Sequence, residues 1–150
     1  MSVRPAQPSD VSELLTIWLR SVRATHTFLT ERDIQSLLPM VRDQVLPNLN
    51  LWVLCGERDR LIGFMGVGED SIEALFIDPK YLRRGGGTLL VRHARRLLRR
   101  QLRVDVNEQN WRAVEFYKAS GFVVVGRSTV DDDGRPFPLL HMRKIGSVSW

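Results

Sequence analysis

The stretch from Ile72 to Leu90, SIEALFIDPKYLRRGGGTLL when read from Ser71, constrains this chain more than any other. An apolar, β-favouring run, Ile72 to Ile77, is stopped by Asp78-Pro79, and Arg83-Arg84-Gly85-Gly86-Gly87-Thr88 then opens an amphipathic helix. A strand delivered into a glycine-rich turn at a helix N-terminus aims several backbone N–H groups at one point, and the helix dipole makes that point favourable to an anion. The turn therefore reads either as a phosphate cradle or as a flexible loop, and the glycines alone do not choose. The helix behind it carries Leu90, Ala94, Leu97 and Leu98 on one face and Arg92, Arg95, Arg96, Arg99 and Arg103 on the other. Leu102 to Val106 then alternates as a strand. A helix between two strands predicts a right-handed crossover between parallel neighbours, whose carboxyl ends flank the glycine turn.

Upstream, Val3 to Pro5 is at most a short edge strand. Asp10 with Glu13 reads as a capping box, and Val11, Leu14, Leu15, Trp18, Leu19 and Val22 follow helical spacing. Thr30 with Asp33 repeats the start signal for a second helix striped by Ile34, Leu37, Leu38, Val41 and Val45. Pro39 is expected to kink or split it and Pro47 to end it. At Leu51 the period changes. Leu51 to Cys55 and Leu61 to Val67 form a predicted hairpin around Gly56 to Arg60, and Gly68-Glu69-Asp70 turns the chain into the Ile72 strand. Gly63, Gly66 and Gly68 mark bulges or close backbone approach. Downstream, Asn107 to Asn110 starts a helix reaching about Ser120, with Asn110, Ala113 or Val114, and Tyr117 on one face and Gly121 as its stop. Phe122 to Val130 and Pro136 to Met142 close the sheet around Asp131-Asp132-Asp133-Gly134, a solvated hairpin turn.

With 150 residues and 43% hydrophobic content, the chain suits one domain over 1–150 with a core of its own. Its longest apolar run is far short of the roughly 20 residues that span a bilayer, and MSVRPAQPSD lacks the apolar region of a signal peptide. A cytoplasmic protein with no membrane partner is expected. The single cysteine, Cys55, excludes an internal disulfide and a multi-cysteine metal site, and inside Leu51-Trp52-Val53-Leu54 it reads as buried filler rather than a nucleophile. Lys and Arg outnumber Asp and Glu 22 to 17, which raises nucleic acid as a partner. The excess is local to Arg83, Arg84, Arg92, Arg95, Arg96, Arg99, Arg100 and Arg103, a solvated helix face or an attractor of polyphosphate. Interleaved aromatics and recognised nucleic-acid motifs are missing there, which argues against nucleic acid.

Two motifs, in order and each in strand–turn–helix context, carry a resemblance: Leu82-Arg83-Arg84-Gly85-Gly86-Gly87, and Asn110-x-x-Ala113-x-x-Phe116-Tyr117-x-x-x-Gly121-Phe122. With them the chain resembles the GNAT superfamily of acyl-CoA-dependent N-acetyltransferases and, within it, the bacterial YjaB-type branch. The resemblance implies an α/β (α+β) single domain. Its sheet would be mixed and mostly antiparallel, with six or seven strands, about four flanking helices, and a parallel pair splayed around the cofactor. It further implies acetyl-CoA as cosubstrate and no metal. The Leu75-Phe76-Ile77 backbone would pair with the pantetheine arm and offer an N–H to the acetyl carbonyl. Arg83, Arg84, Gly85, Gly86, Gly87 and Thr88 would hold the pyrophosphate; Asn110, Ala113 and Phe116 would contact the cofactor, and Tyr117 would protonate the departing sulfur. Leu82 stands where the family has Arg or Gln. Gly86 replaces a larger residue, a freedom that costs roughly 0.5–1 kcal/mol relative to alanine and leaves the loop to be ordered by its ligand.

Acetyl transfer from a thioester to an amine requires a neutral amine, a polarised carbonyl and a proton for the thiolate. A phenol near its ordinary pKa of ~10 is protonated at neutral pH and can serve a thiolate of comparable basicity, which suits Tyr117, although tyrosine in a Phe-Tyr pair is also plain core. For the base the resemblance implies Asp105, at the place where some relatives carry a glutamate in that role, or Glu73 on the preceding strand; both can also be ordinary outward-facing strand carboxylates, with a water chain removing the proton without either. His26 and Phe28, with Trp18 and Arg23, are the acceptor-side candidates; each also has an ordinary role in core or surface. The acceptor is a primary amine, on a small molecule or, as the branch suggests, a protein lysine. The family often forms homodimers, though no residue pattern here demands one. Two further classes stay open: a non-catalytic acetyl-CoA sensor acting through a protein partner, and a nucleic-acid module built on the arginine helix.

Overall fold

In a computed structural model that describes residues 1–98 and 102–144, seven strands build one sheet. They are β1 (Ser2–Pro5), β2 (Asn50–Cys55), β3 (Leu61–Val67), β4 (Ser71–Ile77), β5 (Arg103–Asn107), β6 (Phe122–Ser128) and β7 (Leu139–Lys144). The α-helices are α1 (Val11–Thr25), α2 (Glu31–Met40), α3 (Gly86–Leu98) and α4 (Trp111–Ala119). In space the strands run β1-β2-β3-β4-β5-β7-β6. Every neighbouring pair is antiparallel except β4 and β5, which are parallel and pair only through Ser71 with Arg103 and Ile72 with Val104 before they diverge. This is the mixed, mostly antiparallel α/β (α+β) sheet expected, with its splayed parallel pair.

Side-chain alternation divides the core between the two faces of the sheet. Leu14, Ile17, Trp18 and Val22 of α1 and Ile34 of α2 pack on Val53 and Phe64. Leu90 and Ala94 of α3 and Val114 and Tyr117 of α4 pack on Met65, Val104 and Met142 of the opposite face. Covered on both sides, β3 is buried along its whole length, which is why its sequence shows no alternation. Its glycines mark close approach as expected: a Cβ on Gly66 would lie 2.6 Å from Leu49 Cδ1, and one on Gly63 2.8 Å from the Phe76 carbonyl oxygen.

The structure corrects several local expectations. Asp10 does not cap α1; its carboxylate accepts the Gln7 N–H (2.7 Å) and the Arg4 guanidinium (2.9 and 3.2 Å), tying β1 to the start of the helix. The Thr30–Asp33 capping box does form, with bonds of 3.1 and 2.9 Å. Beyond Pro39, which lacks an N–H, the helix loosens into one π turn over Val41–Val45. That wider turn moves the buried position from Val45 to Leu46, five residues after Val41. On α3 the buried face holds Gly86, Leu90, Val91 and Ala94, whereas Leu97 is 37% exposed. Arg103 belongs to β5, and Arg99 and Arg100 lie outside the described residues. β6 ends at Ser128 and β7 begins at Leu139, earlier and later than predicted, because Asp131 Oδ1 gathers the N–H groups of Asp133 (3.0 Å) and Arg135 (2.7 Å) into a wider connection.

Candidate active site

The site grows out of the turn that follows β4. Asp78 is buried; one of its oxygens accepts the Lys80 N–H (3.1 Å) and the other the Arg20 guanidinium of α1 (2.9 Å), so the chain leaves β4 in a fixed direction. Left-handed φ angles at Arg83 (62°) and Gly85 (86°) then curl it back into α3. The first N–H groups of a helix have no partner inside it, and the dipole adds positive potential at the same point. The three glycines are not equivalent. Gly85 is needed for its backbone angle, since a Cβ there would meet nothing within 4 Å. Gly86 and Gly87 already lie in α3, where a Cβ would sit 2.6 Å from Leu54 Cδ2 and 2.9 Å from Phe116 Cζ respectively. The expected surplus of flexibility at Gly86 is therefore corrected: this glycine lets the helix N-terminus rest against β2.

A cavity of about 520 Å³ opens at this point. Its walls bring together the residues expected to bind a cofactor: Leu75, Phe76 and Ile77 of β4; Arg83, Gly85, Gly86, Gly87 and Thr88; and Asn110, Ala113, Phe116 and Tyr117. Arg84 is the exception, its guanidinium lying 5.4 Å from the centre of the Tyr81 ring rather than on the cavity wall. The sequence did not single out Trp111, which lines the cavity and is 63% exposed with the Arg112 guanidinium 5.3 Å from its ring. A second chamber of about 120 Å³ occupies the gap between β4 and β5, walled by Glu73, Asp105 and Asn107. Both chambers share His26, Leu75, Phe76, Asn110, Ala113 and Tyr117.

Tyr117 and His26 thus stand where the two chambers meet. Tyr117 is 6% exposed, set edge-on between the Phe116 and Phe122 rings (centroids 5.1 and 5.2 Å), and burial pushes its phenol well above the usual tyrosine range. Burial pulls His26 the other way, down to about 4, so the imidazole is neutral near pH 7. Its bonds assign the tautomer. Asn110 Nδ2 approaches Nε2 at 3.4 Å, while Nδ1 lies 2.9 Å from Thr25 Oγ1, whose hydroxyl donates to the Ser21 carbonyl (2.7 Å). Nδ1 therefore carries the hydrogen. Asn110 is held in turn by α4, its Oδ1 accepting the Ala113 N–H (3.3 Å) as the N-cap.

The other candidates divide. Asp105 reaches the small chamber from β5, with Oδ1 2.7 Å from His141 Nδ1; His141 Nε2 is 2.6 Å from Ser128 Oγ. Glu73 also lines it and accepts the Ser71 hydroxyl. Phe28 packs on His26 (5.3 Å between centroids) and on Phe137 (6.0 Å), behind the imidazole rather than on the wall of either chamber. Trp18 is a core residue, and Arg23 pairs with Glu31 (2.7 Å) on the surface, so neither joins the site. Sequence reasoning missed His141, Ser128 and Phe137; only strand register reveals the first two, while Phe137 between Pro136 and Pro138 is an aromatic stiffened within a connection. Among the described residues, no group of three His, Cys, Asp or Glu side chains is placed to hold a metal ion.

A sheet splayed at a parallel pair, a glycine turn at a helix N-terminus and a tyrosine between two chambers define an acyltransferase architecture, and the chain belongs to the acetyltransferase (GNAT) domain family, whose pattern matches residues 29–145. It is 45% identical over 147 residues to the peptidyl-lysine N-acetyltransferase YjaB of Escherichia coli (strain K12), covering 98% of this chain and 99% of that one. The solution structure of apo-form YjaB matches with a TM-score of 0.89 over 97% of this chain and 98% of that one. The peptidyl-lysine N-acetyltransferase YiaC of the same strain is 33% identical, with 89% and 91% covered. A PaiA N-acetyltransferase from Thermoplasma acidophilum, solved in complex with coenzyme A, shares the fold at 19% identity (TM-score 0.76; 96% and 99% covered).

Proposed function

We propose that this protein transfers the acetyl group of acetyl-CoA directly to the side-chain amine of a protein lysine, working in the cytoplasm. The observation that carries this is the convergence of the glycine turn, the free edge of β4 and Tyr117 on one cavity that opens into a second, carboxylate-walled chamber. The lysine acceptor rests on the two relatives named as peptidyl-lysine N-acetyltransferases.

The residues present fit acetyl-CoA, which supplies an acyl group already activated as a thioester. The orphan N–H groups of the first turn of α3, with Thr88 and Arg83, receive the pyrophosphate. Past Ile72, β4 has no strand partner on its β5 side, so its backbone groups there are available to an amide-bearing arm, in the manner of a strand added to an open edge. Tyr117 holds a proton at its phenol oxygen and gives it to the leaving sulfur. Burial that raises the phenol also disfavours a bare thiolate in the same chamber, so the transfer is between two desolvated groups. Asp105 receives the acceptor ammonium and takes its proton, with Glu73 as second candidate. His26 lines the acceptor's chamber, and Phe28, packed on its ring, supports that wall from behind.

Thiol release from acetyl-CoA in the presence of a lysine-peptide pool tests the proposal; binding of acetyl-CoA without release over peptides and amines would instead describe a sensor. Comparing pH–rate profiles of Asp105→Asn and Glu73→Gln then identifies the base as the residue whose loss removes the acidic limb.

A further inference from the structure

The row Asp105–His141–Ser128 crosses three strands on one face of the sheet, and it is built rather than incidental. Asp105 and His141 are register partners on β5 and β7. On the far side, β6 would not deliver a serine to His141 if it ran regularly. Val124 opposes Met142, a core residue, but the register shifts between Val124 and Gly126, so that Gly126 opposes His141 and Ser128 opposes Leu139. One extra residue, Val125, thereby turns Ser128 onto the face of His141, the kind of re-aiming that bulges provide.

We infer that His141, oriented by Ser128, is the positioning residue for Asp105, and that the three side chains form the subsite for the acceptor's ammonium group. This rests on Asp105 being the carboxylate that receives the acceptor. With the imidazole neutral, the hydrogen bonds run in one direction. A carboxylate accepts, so His141 Nδ1 carries the hydrogen donated to Asp105 Oδ1 at 2.7 Å; Nε2 is then an acceptor, filled by the Ser128 hydroxyl at 2.6 Å. With Oδ1 engaged, the carboxylate cannot spin about its bond to the chain, and Oδ2 is held for the chamber that Asp105 lines between β4 and β5. The Asp105 and His141 side chains are 50% and 35% exposed, and so exposed a pair adds little to stability. Its consequence is orientation: an ammonium entering the chamber meets a carboxylate with one fixed free oxygen. Glu73 has no comparable brace, because its hydrogen-bond partner Ser71 lies two residues away on the same strand.

Two measurements on the intact protein test this. In the first, acetylation of the lysine-peptide pool is followed by thiol release. His141→Leu is expected to lower kcat/KM for peptide by roughly ten- to a hundredfold, the range a hydrogen bond to a charged group supports, with KM for acetyl-CoA unmoved. His141→Asn, whose side-chain N–H can replace Nδ1–H, restores most of the loss, and His141→Leu adds nothing to Asp105→Asn. In the second, nitrogen NMR of the His141 ring finds the hydrogen on Nδ1 and an accepting Nε2, whether or not any peptide is turned over. A His141→Leu enzyme within twofold of its parent, a His141→Asn enzyme no better than His141→Leu, or a ring hydrogen on Nε2 would overturn the inference. If Asp105→Asn retains full kcat/KM, the base assignment falls and the inference with it; if Asp105→Asn is impaired while His141→Leu is not, the inference alone falls.

Discussion

Replacing Gly86 by alanine separates two views of the glycine turn. By helix propensity alone the change should stabilise the protein by roughly 0.5–1 kcal/mol, since Gly86 lies in α3 without a left-handed φ. Packing opposes it. The new Cβ would stand 2.6 Å from Leu54 Cδ2, against an ordinary contact of about 3.4–4 Å, and Leu54 is completely buried, so its methyl has no open space to enter. Overpacking of this kind costs about 1–3 kcal/mol, which exceeds the propensity gain and leaves Gly86→Ala less stable by about 1 kcal/mol. For a domain of this size that is a fall of about 2–4 °C in Tm, readable by thermal unfolding followed by circular dichroism. The displacement falls on the helix end proposed to bind pyrophosphate, so KM for acetyl-CoA rises as well. Leu54→Val removes the obstructing methyl, and the double variant should recover at least ~0.5 kcal/mol relative to the sum of the single changes. A rise in Tm for Gly86→Ala, or strict additivity with Leu54→Val, would refute the packing explanation.

Tyr117→Phe should lower kcat by about 10²-fold or more while circular dichroism shows an intact fold, and an unchanged kcat would remove Tyr117 from proton transfer. The neutral burial of His26 predicts a stability slope with pH. Its folded pKa, about 4, is below the unfolded value of 6.5, so between those limits the unfolded chain binds more protons and stability rises with pH. It is fully present above about pH 6.5, and by pH 4 about 3 kcal/mol of it is lost. Urea unfolding of His26→Gln should show a shallower acid dependence; an identical one would mean that His26 is not held neutral. Arg83→Gly relieves a left-handed backbone angle and should stabilise the free protein by about 1 kcal/mol, yet raise KM for acetyl-CoA through the lost guanidinium; destabilisation would contradict the strain.

What could be read from the chain was what a few neighbouring residues decide. Thr30 and Asp33 cap α2, Asn110 caps α4, Gly121 ends it at φ 93°, and the change of period at Leu51 separates helices from sheet. The same locality limits the reading. Asp10 has the spacing of a cap, but Arg4 and Gln7 take its carboxylate. Gly86 and Gly87 look like surplus freedom because the side chains that require them, Leu54 and Phe116, belong to other elements. A single extra residue in β6 decides which way Ser128 faces, and no residue type in Phe122 to Ser128 announces it. The two sequence motifs thus located the cavity and single residues such as His26 and Asp105 could be named, while the brace of the proposed acceptor side, His141 on β7 and Ser128 on the bulged β6, became visible only in three dimensions.

The short pairing of β4 with β5 has a mechanical meaning. Among the described residues, two pairs at one end, Ser71 with Arg103 and Ile72 with Val104, are the only ladder joining the leaf β1 to β4 to the leaf β5, β7 and β6. Beyond them β4 and β5 are no longer paired. Backbone amides of β4 that face the opening have no strand to protect them, so in the free protein they exchange with solvent faster than those of β3, which is laddered on both sides. The amide-bearing arm proposed to lie along that slot would act as the missing strand, and what it would contribute beyond chemistry is stiffness between the leaves.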